Sequence, residues 1–429
     1  MTPPPATARR GLFRILIASL GALLLAVALP RYAASSYVGG ATPDQIALSW
    51  VDDPQTTIAI KWRTSTDVTG TVVEYWEADA ADAIEAAGLP PSTGRHQVAG
   101  SSSEWTSNLG SMRIHEVKLT GLKPGTRYAY RVGDGSEEGW SGVYHFNTAP
   151  ADPTSLSVLV FGDSQSYAGN YNVWRKTLQT AVTDDIPEQL ILHTGDLVDD
   201  GSDELHWEAW FAATRGILEN LPFFPAPGNH ENARGGAVYL RNHFQLPANG
   251  PPELAELAYS FDYGDVHVVV LNSEASGSEV EAQKHFLEEE LARNQEKTWK
   301  IVLFHRTVHN VKWGRGNPDL LENYVPILEK YGVDLVLNGH DHSYARSFPL
   351  RGGKRAENPT DLGAGIVYVV TGRSGAKAYT DTFRPWWAAA FGYGTRKPNY
   401  INLIFTGRQL RIISRYVDGT IIDDVVLTK

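Results

Sequence analysis

The chain has 429 residues, of which 42% are hydrophobic, 10% aromatic and 20% charged. That is the balance of globular protein, and the length points to two folded units. No cysteine is present, which excludes a disulfide framework, a zinc–thiolate site, an iron–sulfur cluster and a cysteine nucleophile, so any metal must be held by His, Asp, Glu, Asn, Gln or Tyr. A formal net charge of −11 argues against general affinity for nucleic acid or anionic membranes.

Residues 1–36 read as an export signal or an N-terminal membrane anchor. Arg9, Arg10 and Arg14 precede an apolar run from Ile15 to Leu29 that ends at Pro30. The run is short for a bilayer span, and small residues at Ala26, Ala28, Ala33 and Ala34 offer cleavage points, so removal is favoured over anchoring. Arg9-Arg10-Gly11-Leu12-Phe13 resembles a twin-arginine export signal. The working protein is then periplasmic or secreted.

From 41 to 148, short alternating runs at 57–62, 71–76, 115–119, 126–132 and 143–147 are separated by turn residues, the pattern of a β-sandwich. Lys123-Pro124-Gly125 feeds a strand whose Tyr128 is placed to pin the corner through its hydroxyl. This stretch resembles fibronectin type III domains, with Trp62 as the core tryptophan. Tyr75 and Trp76 are read as a packed sheet face. The unit is expected to fold separately and to supply no metal ligand. Residues 149–154, with Pro150 and Pro153, form a linker.

From 155 to 429, apolar β-rich runs (156–161, 189–193, 266–271, 300–304, 334–337) alternate with helical patterns near 171–182, 204–216, 279–293 and 319–331. Continuous apolar strands between helices indicate an α/β domain with a sheet covered on both faces and with its functional residues beyond the strand ends. Five motifs lie there: Gly162-Asp163-Ser164-Gln165, Gly195-Asp196, Gly228-Asn229-His230-Glu231, Phe304-His305 and Gly339-His340-Asp341-His342. Asp163, Asp196 and Asn229 follow one another at intervals of 33 residues, each the length of one strand–helix unit. Glycine before four of the motif residues allows a sharp turn at the strand end.

These ordered motifs resemble the calcineurin-like metallophosphoesterase superfamily, and the preceding sandwich resembles purple acid phosphatases in particular. The likeness extends to 258–272, 286–291 and 343–347. It implies a two-sheet α/β sandwich holding two metal ions (Zn, Mn or Fe). Asp163 and His342 would bind the first, Asp196 would bridge, and Asn229, His305 and His340 would complete the second. It implies hydrolysis of a small phosphorylated substrate by metal-activated hydroxide, with phosphomonoesters as the leading class. A phosphodiesterase, and a surface-binding protein whose metal site has decayed, are the alternatives.

Purple acid phosphatases carry a tyrosine three residues after the bridging aspartate, where this chain has Asp199. Others of the superfamily have a histidine where this chain has Gln165. Gln165, Asp199 and Tyr167 are the candidates for the vacated third ligand, with Gln165 preferred because its loop already carries Asp163. His230 is the candidate acid for the leaving group. Glu231 is read either as orienting that imidazole or as a surface glutamate. His309, Arg373 and Lys377 are candidate substrate contacts, and Trp386 and Trp387 are read chiefly as packing residues.

Overall fold

The computed structural model describes residues 38–78, 93–167 and 169–429. The expected export segment lies outside the described residues. Among those described, no helix is long and apolar enough to cross a membrane.

The first domain is built from eight strands: β1 (Asp44–Ser49), β2 (Ile58–Thr64), β3 (Val72–Glu77), β4 (His96–Ala99), β5 (Ser101–Ser107), β6 (Gly110–Leu119), β7 (Arg127–Gly133) and β8 (Tyr144–Asn147). They pair as two antiparallel sheets, β1-β2-β6-β5 and β4-β3-β7-β8. Ile60 and Trp62 of one sheet and Val73, Tyr130, Val132 and Phe146 of the other fill a common core, which is the fibronectin type III-like sandwich. The Tyr128 hydroxyl accepts the Lys123 backbone N–H at 2.9 Å and closes the corner. β1, β4 and β5 were not anticipated; β4 and β5 are sheet edges made of polar, largely exposed residues, so neither shows an alternating apolar face.

His115 lies beneath Trp62, with ring centroids 5.1 Å apart, between the hydroxyls of Thr64 and Thr71 at 2.7 and 2.8 Å. Burial, aided by the charge of Arg113, pushes its imidazole down to about 4 from 6.5. The unfolded chain therefore takes up a proton near pH 6.5 and the folded one only near 4, so stability present above pH 6.5 is lost as the pH falls through that window. His115→Gln is expected to flatten the loss. Urea unfolding at pH 4.5 and 7 checks it, and an equal fall in both proteins would contradict the assignment.

The second domain begins with β9 (Ser155–Phe161), α1 (Asn172–Val182), β10 (Leu190–His193), α2 (Glu204–Thr214) and β11 (Phe223–Pro225). α3 (Asn229–Asn232), α4 (Ala237–His243), β12 (Tyr259–Tyr263), β13 (Val266–Val270), α5 (Ser278–Arg293) and β14 (Trp299–Leu303) follow. Next come α6 (Pro318–Asn323), α7 (Val325–Lys330), β15 (Leu335–Asn338), β16 (Tyr344–Ser347) and the hairpin β17 (Leu350–Arg351) and β18 (Lys354–Arg355). β19 (Val367–Thr371), β20 (Ala388–Gly392), β21 (Asn399–Thr406), β22 (Gln409–Tyr416) and β23 (Ile421–Thr428) end the chain.

Two mixed sheets result, β11-β10-β9-β21-β22-β23 and β12-β13-β14-β15-β19-β16-β20. Period-two alternation explains how they pack. Val268, Val270, Ile301 and Leu303 enter the core shared with the first sheet. Val269, Leu271 and Val302 face outward and pack with Phe286, Leu287 and Leu328 of the covering helices α5 and α7. Trp174 of α1 meets Phe161 edge-on at 4.9 Å on the far side of the first sheet. The helix expected near 319–331 is two short helices meeting at Tyr324, because Pro326 lies in the first turn of α7 and has no N–H to continue the ladder.

The expected separation of the two domains is not what the core shows. Trp50 of the sandwich packs against Phe224, Phe261 and Tyr263, with centroids 5.4–6.1 Å away. Arg63, 1% exposed, joins Asp44 to Glu204 and Glu208 of α2, and the Tyr130 hydroxyl donates to the Glu219 carbonyl at 2.7 Å. Residues of both domains belong to one continuous hydrophobic cluster.

Candidate metal centre

β9, β10 and β11 run parallel in one sheet, and β13, β14, β15 and β19 run parallel in the other. Asp163, Asp196 and Asn229 follow β9, β10 and β11, while His305 and His340 follow β14 and β15. The carboxyl ends of both sheets therefore deliver polar residues to one edge of the sandwich.

They converge as two groups of donors, Asp163–Asp196–His342 and Asp196–His305–His340, the atoms of each lying within 4.8 Å of one another and every residue buried. Asp196 belongs to both. Asn229 joins the second group, its Oδ1 3.2 Å from His305 Nε2. His305 Nδ1 donates to the Thr194 carbonyl at 2.8 Å and His342 Nδ1 to the Lys377 carbonyl at 2.6 Å. Each bond fixes the tautomer and leaves Nε2 facing the cluster, as a metal ligand requires.

Gln165 is also in place. Its Nε2 is 3.0 Å from Asp196 Oδ2 and 3.5 Å from His342 Nε2, while its Oε1 is buried without a hydrogen-bond partner. A half-turn of the amide exchanges the two atoms and points the orphaned oxygen into the first group, which suits a hard or borderline cation. Asp199 and Tyr167 are not in either group. The Asp199 carboxylate lies 3.4 Å from Lys377 Nζ, and Tyr167 is 66% exposed with its ring beneath the same ammonium.

The electrostatics also fit a cation. Burial alone would lower the His305 imidazole, but the charge and hydrogen bond of Asp196 push it up to about 10. Burial alone would raise Asp196, which the His305 imidazolium instead holds below the ordinary carboxylate range. Burial and the His305 charge push His340 down. A buried carboxylate surrounded by imidazoles that share its charge is a set that a cation would satisfy, and binding one there would depend on pH.

Local backbone geometry marks the same residues. Asp163, Asp196, His340 and His342 have φ of +53°, +56°, +71° and +56°, a conformation that L residues adopt rarely and that clusters at functional sites. The candidate ligands themselves thus take much of the turn expected of the preceding glycines. Gly228 instead allows close approach: a Cβ there would stand 2.2 Å from Asp196 Oδ1.

Glu231 is neither a surface residue nor an orienter of the imidazole. It is fully buried, and its carboxylate accepts the backbone N–H groups of Asp196, Val198 and Gly228 at 2.9, 3.1 and 2.8 Å, tying two ligand loops together. Burial and the Asp196 charge push it up to about 7. The Arg373 guanidinium is not presented to the cluster: it is buried and donates to the Gly394 and Gly375 carbonyls, bracing the loop after β19. His309 packs against Tyr368 and Trp387, with centroids at 4.7 and 5.7 Å. Trp387 is core, while Trp386 is 63% exposed.

His230 stands beside the two groups. Its Nδ1 donates to the Asp199 carbonyl, and its Nε2 lies 3.7 Å from Asp196 Oδ2 and 3.1 Å from Lys377 Nζ. Arg315 and Tyr379 escaped the sequence reading. The guanidinium bonds the His340 carbonyl and the Tyr379 hydroxyl, and the Tyr379 ring lies 4.3 Å from that of His342. Both come from loops without a motif to flag them.

Residues 43–148 match the purple acid phosphatase N-terminal domain, and residues 156–344 match the calcineurin-like phosphoesterase family. Acid phosphatase type 7 of Mus musculus is 27% identical over 90% of each chain. A protein of Arabidopsis thaliana named probable inactive purple acid phosphatase 1 is 26% identical over 74% of this chain and 58% of its own length. A purple acid phosphatase from yellow lupin (Lupinus luteus) seeds superposes with a TM-score of 0.72 at 21% identity, over 90% of this chain and 74% of that one. Fold and donor groups together define a metal-dependent phosphoesterase. The chain belongs to the calcineurin-like phosphoesterases as a purple acid phosphatase-like member.

Proposed function

We propose that the protein hydrolyses phosphate monoesters at a two-cation centre. The first cation is held by Asp163, Gln165, Asp196 and His342, and the second by Asp196, Asn229, His305 and His340. The sharing of Asp196 by two buried donor groups carries the reading, because one bridging carboxylate offsets both charges while neutral imidazoles and amide oxygens leave the ions electrophilic. Held there, two ions would supply Lewis acidity toward phosphoryl oxygens and a nucleophile from water near neutral pH.

The chain's own residues do the rest. The carbonyls of Thr194 and Lys377 orient the ligand imidazoles, and Glu231 fixes the spacing of the Asp196 and Asn229 loops. His230 is held by the Asp199 carbonyl with Nε2 toward the cluster, where it accepts from the Lys377 ammonium; with that ammonium turned to substrate, a proton on Nε2 would reach a departing alkoxide. The basic and then apolar order of residues 1–30 supports export.

Metal analysis of the purified protein is expected to find about two ions per chain, and chelation should abolish hydrolysis of an aryl phosphate, with recovery on adding back Zn, Mn or Fe. A protein that takes up no metal on reconstitution and cleaves nothing would instead be a binding protein with a decayed site.

A further inference from the structure

Lys377 is fastened at both ends to the site. Its carbonyl takes the Nδ1–H of His342, so the backbone is locked to a candidate ligand of the first cation. Its ammonium, on a side chain only 12% exposed, lies 3.1 Å from His230 Nε2 and 3.4 Å from Asp199 Oδ1, above the exposed ring of Tyr167. His230 Nε2 is itself 3.7 Å from the shared carboxylate of Asp196, so the ammonium stands on the wall beside the donor groups. Asp199 follows Asp196 by three positions. Its carboxylate, outside both groups, is where it can hold this lysine in place.

A phosphate diester has two terminal oxygens, and two cations suffice to take both. A monoester has a third terminal oxygen and a second negative charge, and these need another donor. Lysine offers three N–H groups and a full positive charge as a point contact. We propose that Lys377 binds the third terminal oxygen of a phosphate monoester and so sets the preference for monoesters over diesters, with Asp199 as its positioning residue. The inference rests on the two-cation reading above and deepens it.

The test compares 4-nitrophenyl phosphate with bis(4-nitrophenyl) phosphate in metal-loaded wild type, Lys377→Ala and Lys377→Arg, and titrates inorganic phosphate into each by calorimetry. Lys377→Ala should lower kcat/KM for the monoester and phosphate affinity by ~10- to 100-fold, the range of a lost charge-assisted hydrogen bond, while changing the diester by less than about threefold. Metal content should stay at the wild-type value. Lys377→Arg should recover much of the phosphate affinity.

Equal losses on both substrates, unchanged phosphate affinity, or loss of metal from Lys377→Ala would overturn the inference and make the residue a structural clamp. So would a wild type that binds two metals and cleaves only diesters, although that result would leave the phosphoesterase reading intact. A metal-loaded wild type inert toward both esters would overturn the functional reading and the inference together.

Discussion

Asp196→Asn is expected to empty both halves of the metal centre and to lower kcat on an aryl phosphate by at least ~10³-fold, since the ions supply several kcal/mol of transition-state stabilisation and each 1.4 kcal/mol is tenfold in rate. The carboxylate is the one donor common to the two groups. Its Oδ1 lies 3.2 Å from His305 Nε2 and its Oδ2 3.0 Å from the Gln165 amide. The amide of Asn would put an NH2 toward one group and remove the charge that offsets two cations.

The backbone should tolerate the change. Asp196 has φ +56°, a region where Asn is about as much at home as Asp, and its N–H to Glu231 is untouched. Circular dichroism without metal should therefore match wild type, thermal unfolding should shift downward because the buried Asp196–His305 pair is lost, and metal analysis should fall toward zero. Retention of one full equivalent of metal would show that Asp196 serves a single ion and that the bridging assignment is wrong.

How much of this site was legible in the sequence depends on whether a residue acts through the chain next to it or through space. Asp163, Asp196, Asn229, His305 and His340 each follow an apolar run, so the run ends placed them where chemistry gathers, and one edge of the fold brings them together. The burial of Glu231 was not legible. Nothing in Gly228-Asn229-His230-Glu231 says that three backbone N–H groups from two loops turn toward its carboxylate. Arg373 and Lys377 looked alike in sequence, four residues apart on one loop. The structure spends the first on two carbonyls and brings the second to His230.

The fold shows the same division. β13, β14 and β15 are wholly buried, mostly apolar strands and were evident. β21, β22 and β23 form an antiparallel meander on one side of the first sheet that the strand–helix pattern of the preceding residues did not announce. β23 (IIDDVVLT) mixes exposed and buried positions as a sheet edge does.

His230→Ala should leave metal content near the wild-type value and lower kcat on an alkyl phosphate by ~10²–10⁴-fold, the span for a positioned acid or base. The second group already has Asp196, Asn229, His305 and His340, so no ion depends on this imidazole. The Nδ1–H bond to the Asp199 carbonyl leaves Nε2 as the nitrogen facing the site; it accepts from the Lys377 ammonium, and once that ammonium turns to substrate a proton on Nε2 would be the one delivered to the leaving oxygen. A 4-nitrophenolate departs with little need of protonation, so the loss on its ester should be smaller by at least about tenfold. Should the variant lose a metal ion, or turn over an alkyl phosphate as fast as wild type, His230 is a ligand or a structural neighbour rather than the acid. Equal losses on alkyl and aryl esters would instead mean that His230 works by holding phosphoryl oxygens beside Lys377, whose Nζ lies 3.1 Å from it. The ratio of the two losses therefore separates proton donation from oxyanion binding on one wall of the site. His305→Ala provides the contrast, because its fall in rate should follow loss of the second ion and be partly recovered by raising the metal concentration.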